Sequence, residues 1–280
     1  MSKLKKAMEK AKAARESDSD PVFIQKTAES TPGPRPRATG VKTDTDQLLV
    51  SYSQTRVRPI DRKILKNNRI ISLFYDSAVT DQLKIIRTQV LDRLSAIGGN
   101  SLLVTSAHPG EGKTFMSINL GVSIAQELDR TVLVVDTDLR HPWKRHQTFD
   151  RDFFGLDLDK GMSDYLMGQA EIQDLLLNPG IEKLTILPGG RPVENSSELL
   201  GAPRMKALVR ELKDRYAQDR IIIFDSASLL TCADALVFSD PIDGVLLVVE
   251  AEKTSPSDLK RVMELLKERT VVGTVLNKTK

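Results

Sequence analysis

An apolar run, Leu102-Leu-Val-Thr-Ser-Ala107, leads without interruption into His108-Pro-Gly-Glu-Gly-Lys-Thr114, and a helix-compatible segment follows. This order of strand, glycine loop and helix beginning at Lys-Thr is the P-loop context. Gly110 and Gly112 allow the backbone to curl so that its N–H groups converge on an anion. The following helix adds the positive end of its dipole. Lys113 supplies a charge for the β- and γ-phosphates of ATP, and the Thr114 hydroxyl is a hard oxygen ligand suited to Mg²⁺. The loop from Pro109 to Phe115 (Pro109, Gly110, Glu111, Gly112, Lys113, Thr114, Phe115) is therefore read as the nucleotide-binding segment. Ala107 stands where the eight-residue pattern has its first glycine.

The remainder of the chain alternates in the same way. Strands are expected at residues 101–106, 131–136, 183–187, 220–225, 244–250 and 271–276. Amphipathic helices are expected near 76–97, 114–128, 203–217, 231–239 and 255–268. Such alternation implies an α/β fold, a mostly parallel P-loop sheet with helices on both faces.

Two of these strands end in aspartate. Val132-Leu-Val-Val-Asp136-Thr-Asp138-Leu-Arg140 places two carboxylates at the C-terminal edge of a buried strand, where open α/β sheets bind ligands. One carboxylate could serve the metal while the other positions or deprotonates an attacking group. Arg220-Ile-Ile-Ile-Phe-Asp225 ends likewise, as a Walker B aspartate does. The metal set is thus Thr114, Asp136 and Asp225, and Asp138 is the catalytic candidate beside Lys113 and Asp136.

Residues 1–59 read differently. Residues 3–15 suit a basic, weakly amphipathic helix, and the stretch from Ser17 to about Arg58 is polar and rich in Pro, Gly and Ser. That composition buries too little apolar surface to offset ordering entropy, so a disordered linker is expected before a P-loop domain at residues 60–280. Residues 1–60 carry 12 Lys/Arg against 7 Asp/Glu, while the rest is close to neutral, which argues against a nucleic-acid groove in the core. The N-terminal segment lacks the apolar core of a secretory signal, and the apolar runs are strand-sized, short of the ~20 residues of a membrane helix. With Cys232 as the single cysteine, a cytoplasmic chain is expected. His108, His141 and His146 lack metal-ligand company.

The series PGEGKT, LVVDTDLRHP and IIIFD resembles the bacterial tyrosine kinases of capsule and exopolysaccharide synthesis, P-loop proteins related to the MinD/ParA ATPases. The likeness runs over about residues 60–280 and takes in Gly161-Met-Ser-Asp-Tyr-Leu166, Leu187-Pro-Gly-Gly190, Asn195-Ser-Ser-Glu-Leu-Leu200, Asp234-Ala235 and Val275-Leu-Asn277. The resemblance implies an ATP- and Mg²⁺-dependent tyrosine kinase in which Asp138 assists tyrosine attack and Asn277 faces adenine. A membrane-embedded polysaccharide chain-length regulator is the partner it implies, recruiting the chain to the inner face of the plasma membrane. Partition ATPases usually carry a lysine where His108 stands. A MinD/ParA-like switch and a nucleotide-binding regulatory subunit are the alternatives.

Three departures from the family pattern stand out. No tyrosine follows Tyr216, so Tyr52 in the expected flexible arm is the candidate acceptor among Tyr52, Tyr75, Tyr165 and Tyr216. The family's Glu-x-x-Arg-x-x-Arg helix, which joins subunits, is represented by Asp81-x-x-Lys84-x-x-Arg87, so a homo-oligomer through that helix is expected. Asp225 is followed by Ser-Ala-Ser instead of Thr-Pro-Pro.

Overall fold

The computed structural model describes residues 55–74, 78–140, 153–156, 158–215 and 219–279, together with the backbone of two short strands further upstream. Those strands, β1 (Val41–Lys42) and β2 (Leu48–Leu49), form an antiparallel pair within the stretch expected to be linker. The expected helix at 3–15, His141 and His146, and Tyr52, Tyr75 and Tyr216 lie outside the described residues.

The main sheet has eight strands in the order β10-β9-β4-β8-β5-β7-β6-β3. In chain order these are β3 (Arg56–Val57), β4 (Ser101–Ser106), β5 (Thr131–Asp136), β6 (Leu177–Asn178), β7 (Leu184–Leu187), β8 (Arg220–Asp225), β9 (Gly244–Glu250) and β10 (Val271–Asn277). The six strands from β10 to β7 are mutually parallel, as the alternation predicts. The two-residue strands β6 and β3 complete the sheet, β6 running antiparallel to β7. Sheet order thus begins at Arg56, ahead of Ile60.

Period-two alternation of side chains along each strand builds two cores. Leu102, Val104, Val132, Val134, Ile221, Ile223, Leu246 and Val248 belong to one. Leu103, Leu133, Val135, Ile222, Phe224, Val245, Leu247 and Val249 belong to the other. The first is covered by α2 (Ala78–Ala96), through Leu83, Val90 and Leu94, and by α3 (Lys113–Ala125); the short α1 (Arg62–Asn67), which precedes them, adds Leu65. The helix α3 is buried along most of its length, and this helix carries the P-loop lysine at its first position.

Beyond β5 come two short helices, α4 (Met162–Leu166) and α5 (Ile172–Leu175). The second face is then covered by α6 (Ser196–Gly201), α7 (Pro203–Arg215), α8 (Asp234–Val237) and α9 (Pro256–Leu265), with Leu200, Met205, Leu208, Ala235 and Val262 in its core. Ser255 caps α9 by accepting from the Asp258 N–H, and Pro256 follows at the first turn, where its missing donor costs nothing.

The stripe Asp81, Lys84, Arg87 on α2 is engaged within the chain. Lys84 pairs with Asp81 at 2.9 Å, one turn away. Arg87 reaches α3, donating to Ser123 O at 3.0 Å and pairing with Glu127 at 2.6 Å. Its side chain is 16% exposed. Arg87 therefore ties the helix of the family stripe to the helix that follows the P-loop.

Candidate functional site

The site lies at the C-terminal edge of β4, β5 and β8, with the loop before α3 at its centre. β4 pairs with β9 on one side and β8 on the other, so chain connections diverge at its end, the place where open α/β sheets leave a crevice. Ala107 is fully buried at the strand end, which suits the residue that replaces the first glycine. Gly112 caps α3 with φ +100°, and a Cβ there would stand 2.1 Å from Asn277 Nδ2. Conformation and space both require glycine at that position.

The loop is held from outside by residues far away in sequence. Glu111 is buried, and its carboxylate accepts from the His108 N–H at 3.1 Å and from the Thr254 hydroxyl. Asn277 donates its amide to Glu111 O at 2.9 Å, and Lys278 donates to Gly110 O at 2.8 Å while pairing with Glu250 at 3.1 Å. The end of β10 is thus clamped onto the P-loop. His108 turns toward α9, with Nε2 3.2 Å from Asp258 Oδ2. Pro109 and Gly110 are exposed, and Phe115 is half-buried.

Lys113, 7% exposed, opens α3 beside the carboxylates. Asp225 is buried at the end of β8, in register with Asp136 at the end of β5. Ser117 donates to Asp225 Oδ1 at 2.9 Å, and the Thr114 hydroxyl also bonds to that carboxylate. Burial pushes the Asp225 carboxyl up from 3.8 to about 6. The Lys113 charge and the Thr114 and Ser117 hydroxyls pull it down by less, and the Asp138 charge adds to the rise. Thr137 joins the two strand ends by donating its N–H (2.8 Å) and hydroxyl (2.6 Å) to Asp225 O.

Asp136 is buried and Asp138 is half-buried. Asp136 Oδ1 accepts from the Asp138 N–H at 3.0 Å, which fixes the turn between them. Leu139 is buried in the core on the far side of that turn, and its carbonyl accepts from the Val193 N–H at 3.0 Å. Gly189 presses on Asp136 from the β7 side: a Cβ there would meet Asp136 Oδ2 at 2.8 Å.

Lys113, Thr114, Asp136, Asp138 and Asp225 are therefore gathered at one sheet edge, and Asn277 joins them through the loop backbone. Thr114, Asp136 and Asp225 offer hard oxygen donors, and a buried carboxylate raised to about 6 by desolvation has an electrostatic demand that a divalent cation would meet. Among the described residues no three His, Cys, Asp or Glu side chains form a self-sufficient metal cage. Ser117, Thr254, Lys278 and Gly189 join the site without standing in any of the motifs that mark it. Only Gly189, in a Gly-Gly pair after a strand, carried a visible turn signal.

Comparison with known proteins places the chain in a family. Residues 101–277 match the model of a family described as AAA domain. Tyrosine-protein kinase YwqD of Bacillus subtilis (strain 168) is 30% identical over 204 residues, covering 71% of this chain and 80% of the relative. Tyrosine-protein kinase etk of Escherichia coli (strain K12) is 29% identical over 204 residues, 72% of this chain but 27% of that longer protein. The solved kinase domain of Escherichia coli tyrosine kinase ETK superposes with a TM-score of 0.66 at 26% identity, covering 80% of this chain and 91% of that domain. The chimerical protein CapA2B2 superposes with a TM-score of 0.68 at 26% identity, covering 80% and 93%. On these matches the chain belongs to the family described as AAA domain and to the bacterial tyrosine kinases.

Proposed function

We propose that this chain transfers the γ-phosphoryl group of ATP to tyrosine hydroxyls, on itself or on a partner, and so regulates the synthesis of capsule or exopolysaccharide. The observation that carries this reading is the arrangement of Asp138. It follows the buried Asp136, is fixed through its N–H to that carboxylate, and is itself half-exposed. A partly exposed carboxylate next to buried ones separates the work of accepting a phenolic proton from that of serving the metal.

In this reading the loop N–H groups and Lys113 hold the β- and γ-phosphates, and Gly112 lets the backbone approach them. Mg²⁺, held by Thr114, Asp136 and Asp225, supplies charge neutralisation at the phosphates when bound. Asp138 orients the phenol and takes its proton as the oxygen bonds to phosphorus and ADP leaves. Asn277, whose amide is spent on Glu111 O, borders the nucleotide from the β10 side and contributes there to the adenine pocket.

Among the described residues no helix is long and apolar enough to cross a membrane. A membrane-embedded chain-length regulator would therefore recruit the chain to the inner face of the plasma membrane. Subunits would assemble through the α2 surface around Asp81 and Lys84. Tyr52 is the proposed acceptor; Tyr165 is half-buried with the Arg204 guanidinium 4.5 Å over its ring.

The test is incubation with ATP and Mg²⁺, followed by phosphotyrosine detection and phosphopeptide mapping. Phosphotyrosine should form and should vanish in Lys113→Met and Asp138→Asn. Steady ATP hydrolysis with no phosphotyrosine on the chain or on a co-expressed partner would overturn the kinase reading and favour an ATPase switch.

A further inference from the structure

Asp234 is fully buried, yet it takes no part in the phosphate and metal chemistry above. It opens α8, in the segment that follows the Asp225 strand. Its carboxylate accepts from Ser196 Oγ at 2.7 Å and from the Ser197 hydroxyl, the two residues that open α6. Arg140 closes the group. Its Nε donates to Ser196 Oγ at 2.9 Å and lies 3.5 Å from Asp234 Oδ1, and its Nη2 donates to Ser197 Oγ at 3.2 Å. Three segments from different parts of the chain therefore meet on one guanidinium edge.

The position of that guanidinium gives the cluster its meaning. Arg140 stands two residues after Asp138, across the buried Leu139, and its side chain is 39% exposed. A buried carboxylate on a lone surface arginine would be a poor stability device, because removing the anion from water costs more than a half-exposed pair returns. Two serine hydroxyls and a charged partner make the anion tolerable and leave the guanidinium with little freedom. Pre-set cations beside a phosphoryl group in transfer lower the barrier without reorganising during the step.

We propose that Asp234 is a positioning residue for phosphotransfer: through Ser196, Ser197 and its ion pair it holds Arg140 beside Asp138, on the acceptor side of the site. This deepens the kinase reading and rests on it. In the step concerned, the bond between the γ-phosphorus and its bridging oxygen breaks as the phenol oxygen bonds to phosphorus. The phenol proton passes to Asp138 and ADP departs. Arg140 offsets the negative charge carried by the moving phosphoryl group, so its placement acts on the chemical step and leaves nucleotide affinity alone.

The experiment measures single-turnover phosphotyrosine formation and Mg·ATP affinity on the full chain for wild type, Asp234→Asn, Arg140→Ala and the double variant. Each single variant should slow phosphotyrosine formation by about tenfold or more, with Mg·ATP affinity within about twofold of wild type. The double variant should be no slower than the slower single variant, the non-additivity expected of two residues acting as one unit. Ser197→Ala, on the more accessible side of the cluster, gives a smaller loss of the same kind if Asp234→Asn does not fold. Additive losses, or a normal rate in both Asp234→Asn and Ser197→Ala, would overturn the positioning role while the wild-type signal upholds the kinase. Absence of phosphotyrosine from wild type would overturn both.

Discussion

Ser117 Oγ lies 3.0 Å from Lys113 O and 2.9 Å from Asp225 Oδ1, so one hydroxyl links the first turn of the P-loop helix to the end of β8. The helix start and the buried carboxylate therefore hold a fixed relation before any ligand arrives. A metal–phosphate ligand would meet preset oxygen donors, and the chain bears the desolvation of Asp225 as the cost of that arrangement.

That desolvation gives a pH-dependent stability. The Asp225 carboxyl is raised from 3.8 to about 6, so between those values the folded state holds more protons than the unfolded state. Stability from this group is complete below pH 3.8 and falls as pH rises through 6, by about 3 kcal/mol in all. Denaturant unfolding of wild type and Asp225→Asn, without divalent cation, isolates the effect. Between pH 4 and pH 8 the difference between the two should move toward the variant by about 2 kcal/mol. A gap that does not change with pH would show that the carboxylate is not desolvated as described.

Gly189→Ala should disable chemistry more than folding. The new Cβ would stand 2.8 Å from Asp136 Oδ2 and 3.1 Å from its Cγ, so either the β7 loop or the carboxylate must shift. Overpacking of this kind costs about 1–3 kcal/mol. Phosphotyrosine formation should fall by about tenfold or more while the chain still unfolds cooperatively. Full activity in Gly189→Ala would mean that Asp136 can move without consequence.

At Gly112 two obstacles act together, and a second-site variant separates them. Gly112→Ala meets Asn277 Nδ2 at 2.1 Å and also demands φ +100° of a residue with a Cβ. Nucleotide affinity should drop by about a hundredfold or more, since loop N–H geometry is what binds phosphate. Adding Asn277→Ala removes the collision but leaves the backbone demand. Titration with a fluorescent ATP analogue should therefore show little recovery; restoration to wild-type affinity would make the collision the whole effect.

Arg87→Ala should loosen the folded chain itself. Arg87 bonds Ser123 O at 3.0 Å and pairs with Glu127 at 2.6 Å, with 16% of its side chain exposed and 34% of its partner's. Discounted for that exposure, the loss is about 1–2 kcal/mol, read as a lower melting temperature. Lys84→Ala, at an exposed one-turn pair, should change stability by no more than about 0.5 kcal/mol. If Arg87→Ala dissociates an oligomer at unchanged subunit stability, the in-chain strut is not its main role.

Much of this site was legible along the chain because its main parts follow local rules. Lys113 and Thr114 are announced by a strand, two glycines and a helix within a dozen residues, and Asp136 and Asp225 by apolar runs that end in an acid. The six parallel strands stand out because each is long enough for β patterning to show, and β4, β5, β8 and β9 agree with the expected ranges. The helix expected at 231–239 is shorter, Asp234–Val237, and β3, β6, α1, α4, α5 and α6 lie outside every expected range. Segments of two to six residues have too little period to read, and they form because the sheet edge and core receive them.

What the sequence by itself determined is the α/β order, the phosphate loop and the acids that end its neighbouring strands. Each of these is written in spacing and periodicity over a few turns of chain. Only the tertiary structure decided that Ser117 would hold Asp225 and Gly189 would bear on Asp136. It alone joined Thr254 to Glu111 and brought Asp234 under Arg140. The partners in these contacts lie tens to more than a hundred residues apart, and no local preference encodes such a meeting. They come together because stacking parallel strands brings every loop at one sheet edge into the same crevice, where buried polar groups must find partners.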